Sequence, residues 1–211
     1  MYETIMDLPL FKGLGADQIS LMLEKTRVEF LNFEDGEIVA QPDTHVRAVD
    51  FIISGQINKI NNFENFDVSI VETLGKGAVI GALNMYGLFT NYLATYVAKG
   101  KTSIMRICKE PYMNILLSDK IYILNYLNYL SAAVHRNIDK TLNVAKFSIQ
   151  DYLSILTSSL VSPLAESVEI KGSDQELAKL CGVSVDEIIS WKNKILQDST
   201  VQAPSNTIRI K

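Results

Sequence analysis

The sequence has few cysteines and histidines, which limits the metal and redox sites that it can hold. Cysteine occurs twice, at Cys108 and Cys181, and histidine twice, at His45 and His135. Both cysteines stand among apolar residues, so we expect small buried thiols rather than a disulfide or a ligand pair. The count excludes a cluster held by four thiolates, and a histidine-rich site is not expected. The sequence therefore predicts neither a metal nor a cofactor.

Long apolar runs and an excess of basic residues are also missing. No run of about eighteen apolar residues, the length that indicates a membrane-spanning helix, occurs among the 211 residues. The first residues lack the basic start and the apolar stretch of a signal peptide, so we expect a soluble, cytoplasmic protein with no membrane partner. The net charge of −4 gives no global indication of nucleic-acid binding. Any DNA site must therefore be local.

No catalytic set can be assembled from the sequence. The serines have no histidine partner at a recognisable spacing, and no Walker loop, dinucleotide fingerprint or paired-carboxylate motif occurs. Gly75 and Gly77 form a GxG pattern without a predicted helix behind it, so we interpret it as a turn. We expect no catalytic residues and a protein that is not an enzyme.

The first half of the chain has the pattern of an all-β barrel or sandwich. From about Glu29 to Ile107, short β-branched and aromatic runs alternate with turn signals. Strands are predicted at residues 49–53, 68–71 and 102–107, and a short helix packed on them at residues 16–23. The turn signals lie at residues 34–36, 41–43, 54–55, 61–62, 75–77 and 99–101.

A long helix is predicted next. Residues 119–146 contain neither proline nor glycine, and an apolar stripe continues through roughly seven turns. A helix of this length between two compact regions usually buries its stripe against a copy of itself, although packing on its own chain is the alternative. The predicted dimer interface consists of Leu127, Leu130, Val134, Ile138 and Thr141.

The last third of the chain has the pattern of a winged helix-turn-helix. Ser173 with Glu176 and Ser184 with Glu187 form two successive capping boxes, each of which begins a helix. Gly182 lies between them, where a tight turn between helices needs a positive φ. Ala178 is a small residue at the position where the two helices cross closely. Short strands are predicted on either side, at residues 168–170 and 207–210.

The second of these helices offers polar side chains to a DNA groove, but few positive charges. Its inner face is predicted to hold Ile188, Trp191 and Ile195. Residues 146–211 carry seven Lys/Arg against eight Asp/Glu, a net charge of −1, so binding should be modest and salt-sensitive. The predicted DNA-contacting residues are Ser173, Gln175, Ser184, Asp186, Ile189, Ser190, Asn193, Lys194, Arg209 and Lys211.

Motifs along most of the chain carry a family resemblance. They lie at residues 8–14, 35–39, 51–57, 75–81 and 175–184. Together they resemble the Crp/Fnr family of bacterial transcription regulators. The resemblance implies an α+β fold with a double-stranded β-helix (jelly-roll-like) sensor barrel at 1–118, a dimerisation helix at 119–145 and a winged helix-turn-helix at 146–211. It also implies a homodimer with DNA and RNA polymerase as partners and an effector whose identity is unknown.

The cassette that binds cyclic nucleotides in this family is altered here. Family members use a Gly-Glu pair for the ribose and an Arg-Ser pair for the phosphate, whereas this chain has Gly81-Ala82 and Tyr92-Leu93. A buried phosphate without a cation is strongly disfavoured, so we expect neither cAMP nor cGMP to bind through the usual contacts. The pocket would hold an uncharged ligand or its own side chains. Its predicted residues are Gly81, Ala82, Leu83, Tyr92, Leu93, Asn137 and Ile138.

The DNA-reading positions depart from the family as well. Members that read TGTGA-type half-sites carry Arg-Glu and a second Arg where this chain has Val185, Asp186 and Ser190. The resemblance therefore carries over a DNA-binding role but not that site preference. Two hypotheses follow: a DNA-binding transcription regulator, or a protein-interaction module that has lost DNA binding. A degenerate enzyme is a third hypothesis, and no pair of nucleophile and base in the sequence supports it.

Overall fold

A computed structural model describes residues 5–63, 65–142, 165–195, 201–202 and 207–210. The chain forms two compact units. We name them the N-terminal unit, Met1–Asn58 with Leu74–Ala132, and the C-terminal unit, Lys59–Thr73 with Ala133–Lys211. Both combine β-strands with α-helices, which agrees with the predicted α+β class.

The N-terminal unit is an antiparallel sheet with flanking helices. Its elements are a 3-10 helix (Pro9–Phe11), α1 (Ala16–Glu24), β1 (Val28–Phe33), β2 (Ile38–Ala40), most of β3 (Ala48–Phe63), β5 (Val79–Ile80), β6 (Thr95–Cys108), α2 (Lys109–Ser118) and the first part of α3 (Lys120–Leu142). Strand β6 lies between β1 and β3 and also pairs with β2, while β5 pairs with β3. Val28 of β1 lies opposite Ile107 of β6, and the register continues to Phe33 opposite Thr102.

The C-terminal unit contains a second set of paired strands and two short helices. Its elements are the end of β3, β4 (Val68–Leu74), the end of α3, β7 (Ala165–Lys171), α4 (Asp174–Cys181), α5 (Val185–Ile195), β8 (Val201–Gln202) and β9 (Thr207–Ile210). The strands follow the order β3-β4-β7-β9-β8. Strands β7 and β9 are antiparallel, with Val168 opposite Ile210.

Three predicted turns are wrong because they lie inside strands. Residues 54–55 and 61–62 belong to β3, and residues 99–101 belong to β6. Gly55 has a φ of +81°, and a Cβ there would lie 2.4 Å from the carbonyl oxygen of Lys101. Glycine inside a strand marks a bend or a close approach of the neighbouring backbone. A local pattern does not distinguish this arrangement from a turn.

The core of the N-terminal unit contains a chain of aromatic rings. Phe11 lies 4.9 Å from Tyr122 and 5.6 Å from Phe51, measured between ring centroids. Tyr112 continues the chain at 6.0 Å from Tyr122. All these pairs are edge-to-face, the geometry that the quadrupoles of aromatic rings favour. The rings join the 3-10 helix, β3, α2 and α3 into one packed layer.

Helix α3 begins one residue after the predicted start. Asp119 caps it, because its Oδ1 accepts hydrogen bonds from the backbone nitrogens of Ile121 (2.7 Å) and Tyr122 (3.2 Å). The described helix reaches Leu142, and residues 143–146 of the predicted helix lie outside the described residues. None of the helices in the described ranges is both long and apolar enough to cross a membrane.

The two cysteines differ in exposure. Both are free, but Cys108 is exposed and Cys181 is half-buried, so the prediction of a buried thiol is wrong for Cys108. Cys108 is the last residue of β6 and the N-cap of α2, at the point where the chain leaves the sheet. The apolar neighbours that suggested burial point inward from the strand.

Candidate nucleic-acid interface and effector loop

Helix α4 is capped at both ends by residues that the sequence predicts. Ser173 Oγ accepts a hydrogen bond from the backbone nitrogen of Glu176, at 3.2 Å. Gly182 adopts the left-handed conformation, with a φ of 67° and a ψ of 34°. Glycine tolerates this conformation without the penalty that a Cβ would bring. The two helices therefore meet through a tight turn at a defined angle.

The second capping box is complete. Ser184 Oγ accepts from the backbone nitrogen of Glu187 at 3.3 Å, and Glu187 Oε2 accepts from the backbone nitrogen of Ser184 at 2.9 Å. The hydrogen bonds that the backbone nitrogen and the hydroxyl of Ser184 donate to the carboxylate lower the pKa of Glu187. The start of α5 is thus held by reciprocal bonds rather than by packing alone.

Helix α5 has a buried inner face and an exposed outer face. Ile188 and Trp191 are buried in one cluster with Leu177 and Ala178 of α4. The side chain of Ile195 lies outside the described residues. Since the inner face is packed, the orientation of the exposed side chains is set by the core. This outer face of α5 consists of Val185, Asp186, Ile189, Ser190, Asn193 and Lys194.

The remaining predicted DNA-contacting residues have different placements. Gln175 and Ser184 are exposed, whereas Ser173 is half-buried and occupied as a cap. Arg209 lies on β9 opposite Glu169 of β7. The side chain of Arg209 and all of Lys211 lie outside the described residues. The structure therefore brings together the helical part of the predicted site.

Ion pairs reduce the positive charge available near the outer face of α5. Lys192 forms a short ion pair with Asp174 of α4, and Lys179 pairs with Glu176 at 2.5 Å. A cation that is paired with a neighbouring carboxylate gives little net attraction to a phosphate. Lys194 is the exposed cation on the outer face itself.

The loop at residues 81–93 is anchored to the sheet and to α3. Gly81 has a φ of +85°, and a Cβ there would lie 2.6 Å from the carbonyl oxygen of Ala48. Ala82 is buried, and its carbonyl accepts a hydrogen bond from the hydroxyl of Tyr126 at 2.9 Å. Tyr92 is also buried and packs edge-to-face on Tyr96. The start and the end of the loop are therefore both fixed.

A buried ion pair lies close enough to influence Tyr92. Arg106 donates two hydrogen bonds to the carboxylate of Asp50, both 2.7 Å long, and Asp50 is 0% exposed. The pKa of Tyr92 is raised to about 12, chiefly by burial and also by the negative charge of Asp50, which the positive charge of Arg106 opposes. The phenol is therefore neutral at physiological pH. The guanidinium of Arg106 is already neutralised in bidentate geometry.

The other predicted pocket residues are not equally enclosed. Leu93 is 71% exposed and Leu83 is 43% exposed. The side chains of Asn137 and Ile138 lie outside the described residues. The structure thus brings Gly81, Ala82 and Tyr92 together, with a Cβ built at Gly81 lying 3.6 Å from the hydroxyl of Tyr92.

Helix α3 has apolar side chains on its exposed surface. Leu127 is 51% exposed and Val134 is 52% exposed, whereas Leu130 is half-buried. Leu124 and Ile121 extend the exposed apolar stripe toward the start of the helix. The side chains of Ile138 and Thr141 lie outside the described residues.

Solved structures with a similar fold cover most of the chain. The catabolite activator protein of Thermus thermophilus aligns with a TM-score of 0.56 and 19% identity, over 96% of this chain and 93% of that chain. The c-di-GMP-responsive regulator CLP of Xanthomonas campestris aligns with a TM-score of 0.54 and 19% identity, over 93% and 99%. The sensor domain of the regulator DNR of Pseudomonas aeruginosa aligns with 0.55 and 17%, over 70% and 100%. This chain has their fold.

The resemblance to Crp/Fnr regulators is thus confirmed at the level of the fold. No family model matches the sequence, and no curated protein matches it either. At such low identity, the likeness describes the backbone and not the chemistry of a site.

Sequence reasoning missed the Asp50–Arg106 pair within this fold. Asp50 interrupts the apolar run at residues 49–53, and Arg106 interrupts the run at residues 104–107. A charged residue inside each of two apolar strands is a signal for a buried ion pair, because a buried charge needs a partner. The signal becomes specific only when the two strands are known to be neighbours.

Proposed function

We propose that this chain is a homodimeric, non-enzymatic transcription regulator that binds DNA through a winged helix-turn-helix. The observation that carries the proposal is the division of α5 into a packed inner face and an exposed outer face, which follows α4 after a tight turn at Gly182. A recognition helix needs this arrangement, because its reading side chains must be free while its orientation is fixed. The fold shared with transcription regulators supports the proposal. RNA polymerase is the further partner if the chain activates transcription, whereas a repressor needs no such contact.

The outer face of α5 defines which bases it can read. The amide of Asn193 can bond an adenine edge with two hydrogen bonds, and Asp186 can accept from the amino group of cytosine. Ile189 offers apolar contact to a thymine methyl group, and Ser190 fits several bases. Guanine is read chiefly by arginine and lysine, and Lys194 is the cation on this face.

Selection of duplexes from a randomised library at low salt tests the proposed function. We expect an enriched pair of half-sites that differs from the TGTGA pattern, because the positions that read that pattern are Val185, Asp186 and Ser190. Low salt is needed, since few phosphate contacts are available to this acidic chain. Selection of TGTGA half-sites would show that the base contacts proposed for the outer face of α5 are wrong.

Replacing Asn193 with alanine should relax selectivity at one base pair of the selected site by about 1–3 kcal/mol. The matched comparison is Arg209→Ala, which should weaken all sequences alike and lower the salt slope by about one unit. Competition binding against duplexes substituted at each position measures both effects. If Asn193→Ala weakens every duplex equally, Asn193 does not read a base.

The N-terminal unit is proposed to sense an effector other than a cyclic nucleotide. By the resemblance, Tyr92 stands where family members have the arginine that binds the phosphate; here it is a buried neutral phenol, and the nearby Arg106 is bound to Asp50. A cyclic phosphate placed there would have to break this ion pair or remain without a counter-charge.

We therefore expect no thermal stabilisation by cAMP or cGMP at millimolar concentration. A ligand at a hundredfold excess over its dissociation constant would contribute about 2.7 kcal/mol, which a melting curve resolves easily. A clear rise in melting temperature with either nucleotide would contradict the proposal that this loop offers no counter-charge to a cyclic phosphate.

The second candidate function is a protein-interaction module. The observations that favour it are the ion pairs of Lys179 and Lys192 and the exposed apolar side chains of Val185 and Ile189. These features weaken attraction to phosphates and provide apolar contact area. Selection that enriches no duplex at low salt would favour this candidate over the first.

A further inference from the structure

The hairpin formed by the end of β3 and by β4 is part of the C-terminal unit. Residues 59–73 group with the C-terminal segment, and β4 lies beside β7 in the sheet. Strand β7 begins at Ala165, far along the chain from β4. The strands around α4 and α5 are therefore completed by residues from the first half of the sequence.

The hairpin also supplies side chains to the core beneath α5. Val68 and Ile70 of β4 are buried in the same cluster as Ile170 of β7 and as Ile188 and Trp191 of α5. Phe63 and Phe66, at the end of the hairpin, pack against this cluster. The hairpin thus shares one core with the inner face of α5 and leaves its outer face free.

The hairpin approaches the backbone of Gly172 closely. A Cβ at this position would lie 2.9 Å from Cγ2 of Val68 and 3.2 Å from the carbonyl oxygen of Asp67. Gly172 does not have a left-handed φ, so its backbone conformation alone does not demand glycine. The absence of a side chain is required by the hairpin, immediately before the N-cap of α4.

A buried ion pair stiffens the same hairpin. Lys59 of β3 lies 2.7 Å from Glu72 of β4, and the side chain of Glu72 is 0% exposed. A buried carboxylate held by a cation across two strands resists their separation. The two strands of the hairpin would therefore move together rather than separate.

We propose that the hairpin at residues 59–73 positions the DNA-reading helix α5 from behind, through Val68, Ile70 and Trp191. The inference rests on the proposed function. The hairpin strands continue covalently into the N-terminal unit through Asn58 and Leu74. Its residues are positioning residues and do not touch DNA.

Gly172→Ala in the full-length chain tests the packing. Trp191 is the single tryptophan of the sequence and belongs to the shared cluster, so its fluorescence reports on the packing of this cluster. We expect Gly172→Ala to increase acrylamide quenching of Trp191. Val68→Ala removes Cγ2, so the double variant Gly172→Ala/Val68→Ala should lose most of this increase. Gly15→Ala is the matched control, because its Cβ would meet Gln18 at 3.5 Å, an ordinary contact. Unchanged quenching in Gly172→Ala overturns the proposal.

Binding to the selected duplex tests the positioning role. We expect Gly172→Ala to weaken specific binding by about tenfold, with partial rescue by Val68→Ala. Non-specific binding to a scrambled duplex should be unchanged, since phosphate contacts do not need an aimed helix. Altered quenching with unchanged specific binding overturns the proposal and leaves the proposed function intact. A wild-type chain that binds no duplex overturns both, while the quenching result still reports the packing separately.

Discussion

Replacing Leu127 and Val134 with glutamate is expected to leave the full-length chain monomeric. The two side chains lie two helical turns apart on α3 and are 51% and 52% exposed, so the substitutions disturb little packing within the chain. In the proposed dimer, four carboxylates would meet in one apolar seam. Each buried and unpaired polar group costs about 1–3 kcal/mol, and more when charged. The dimer dissociation constant should therefore rise by at least about a hundredfold.

Light scattering at micromolar concentration measures this change as a halving of the mass. Ala132→Glu is the matched control, because Ala132 is exposed on the same helix but on a different side of it from Leu127 and Val134. It should leave the mass unchanged. An unchanged mass for the double variant would show that the exposed stripe of α3 is not the dimer seam.

The second large effect is expected at the buried ion pair. Replacing Arg106 with methionine should lower the free energy of unfolding by about 3–5 kcal/mol, since it leaves the carboxylate of Asp50 buried without a partner. Asp50 is 0% exposed and accepts both guanidinium hydrogen bonds. Urea unfolding at neutral pH measures the loss.

Two further variants separate the ion pair from a general effect of losing an arginine. Arg27→Met breaks the pair with Glu29, whose atoms lie 3.7 Å apart on the surface, and should change the stability by less than about 0.5 kcal/mol. Adding Asp50→Leu to Arg106→Met should restore most of the loss, because no uncompensated charge remains. A double variant with the summed losses of the single variants would contradict this account.

Features that depend on neighbouring residues could be predicted from the sequence. The Ser173 cap, the reciprocal Ser184 capping box and the left-handed Gly182 are local, because each hydrogen bond joins residues three positions apart. The inner face of α5 follows from helical periodicity, and Ile188 and Trp191 are buried as expected. These features place the candidate DNA site on the chain.

Features that depend on distant pairing could not be predicted. The link between Asp50 and Arg106 joins residues 56 positions apart, and the shared core of Val68 and Trp191 joins two segments that look independent in the sequence. Gly55 gave the signal of a turn, although it lies in a strand where the backbone of Lys101 approaches. In each case the deciding contact is made by a strand neighbour that the local pattern does not identify.

If two copies of α5 read DNA together, the affinity of the dimer depends on the spacing between the two half-sites. A rigid dimer places its recognition helices about one DNA turn apart, on one side of the duplex. The dissociation constant is measured for the selected duplex and for the same duplex with half a turn inserted between its half-sites. We expect the insertion to weaken binding by at least about tenfold, because the two half-sites then face opposite sides of the duplex. Equal affinity for both duplexes, or no affinity for either, would contradict it.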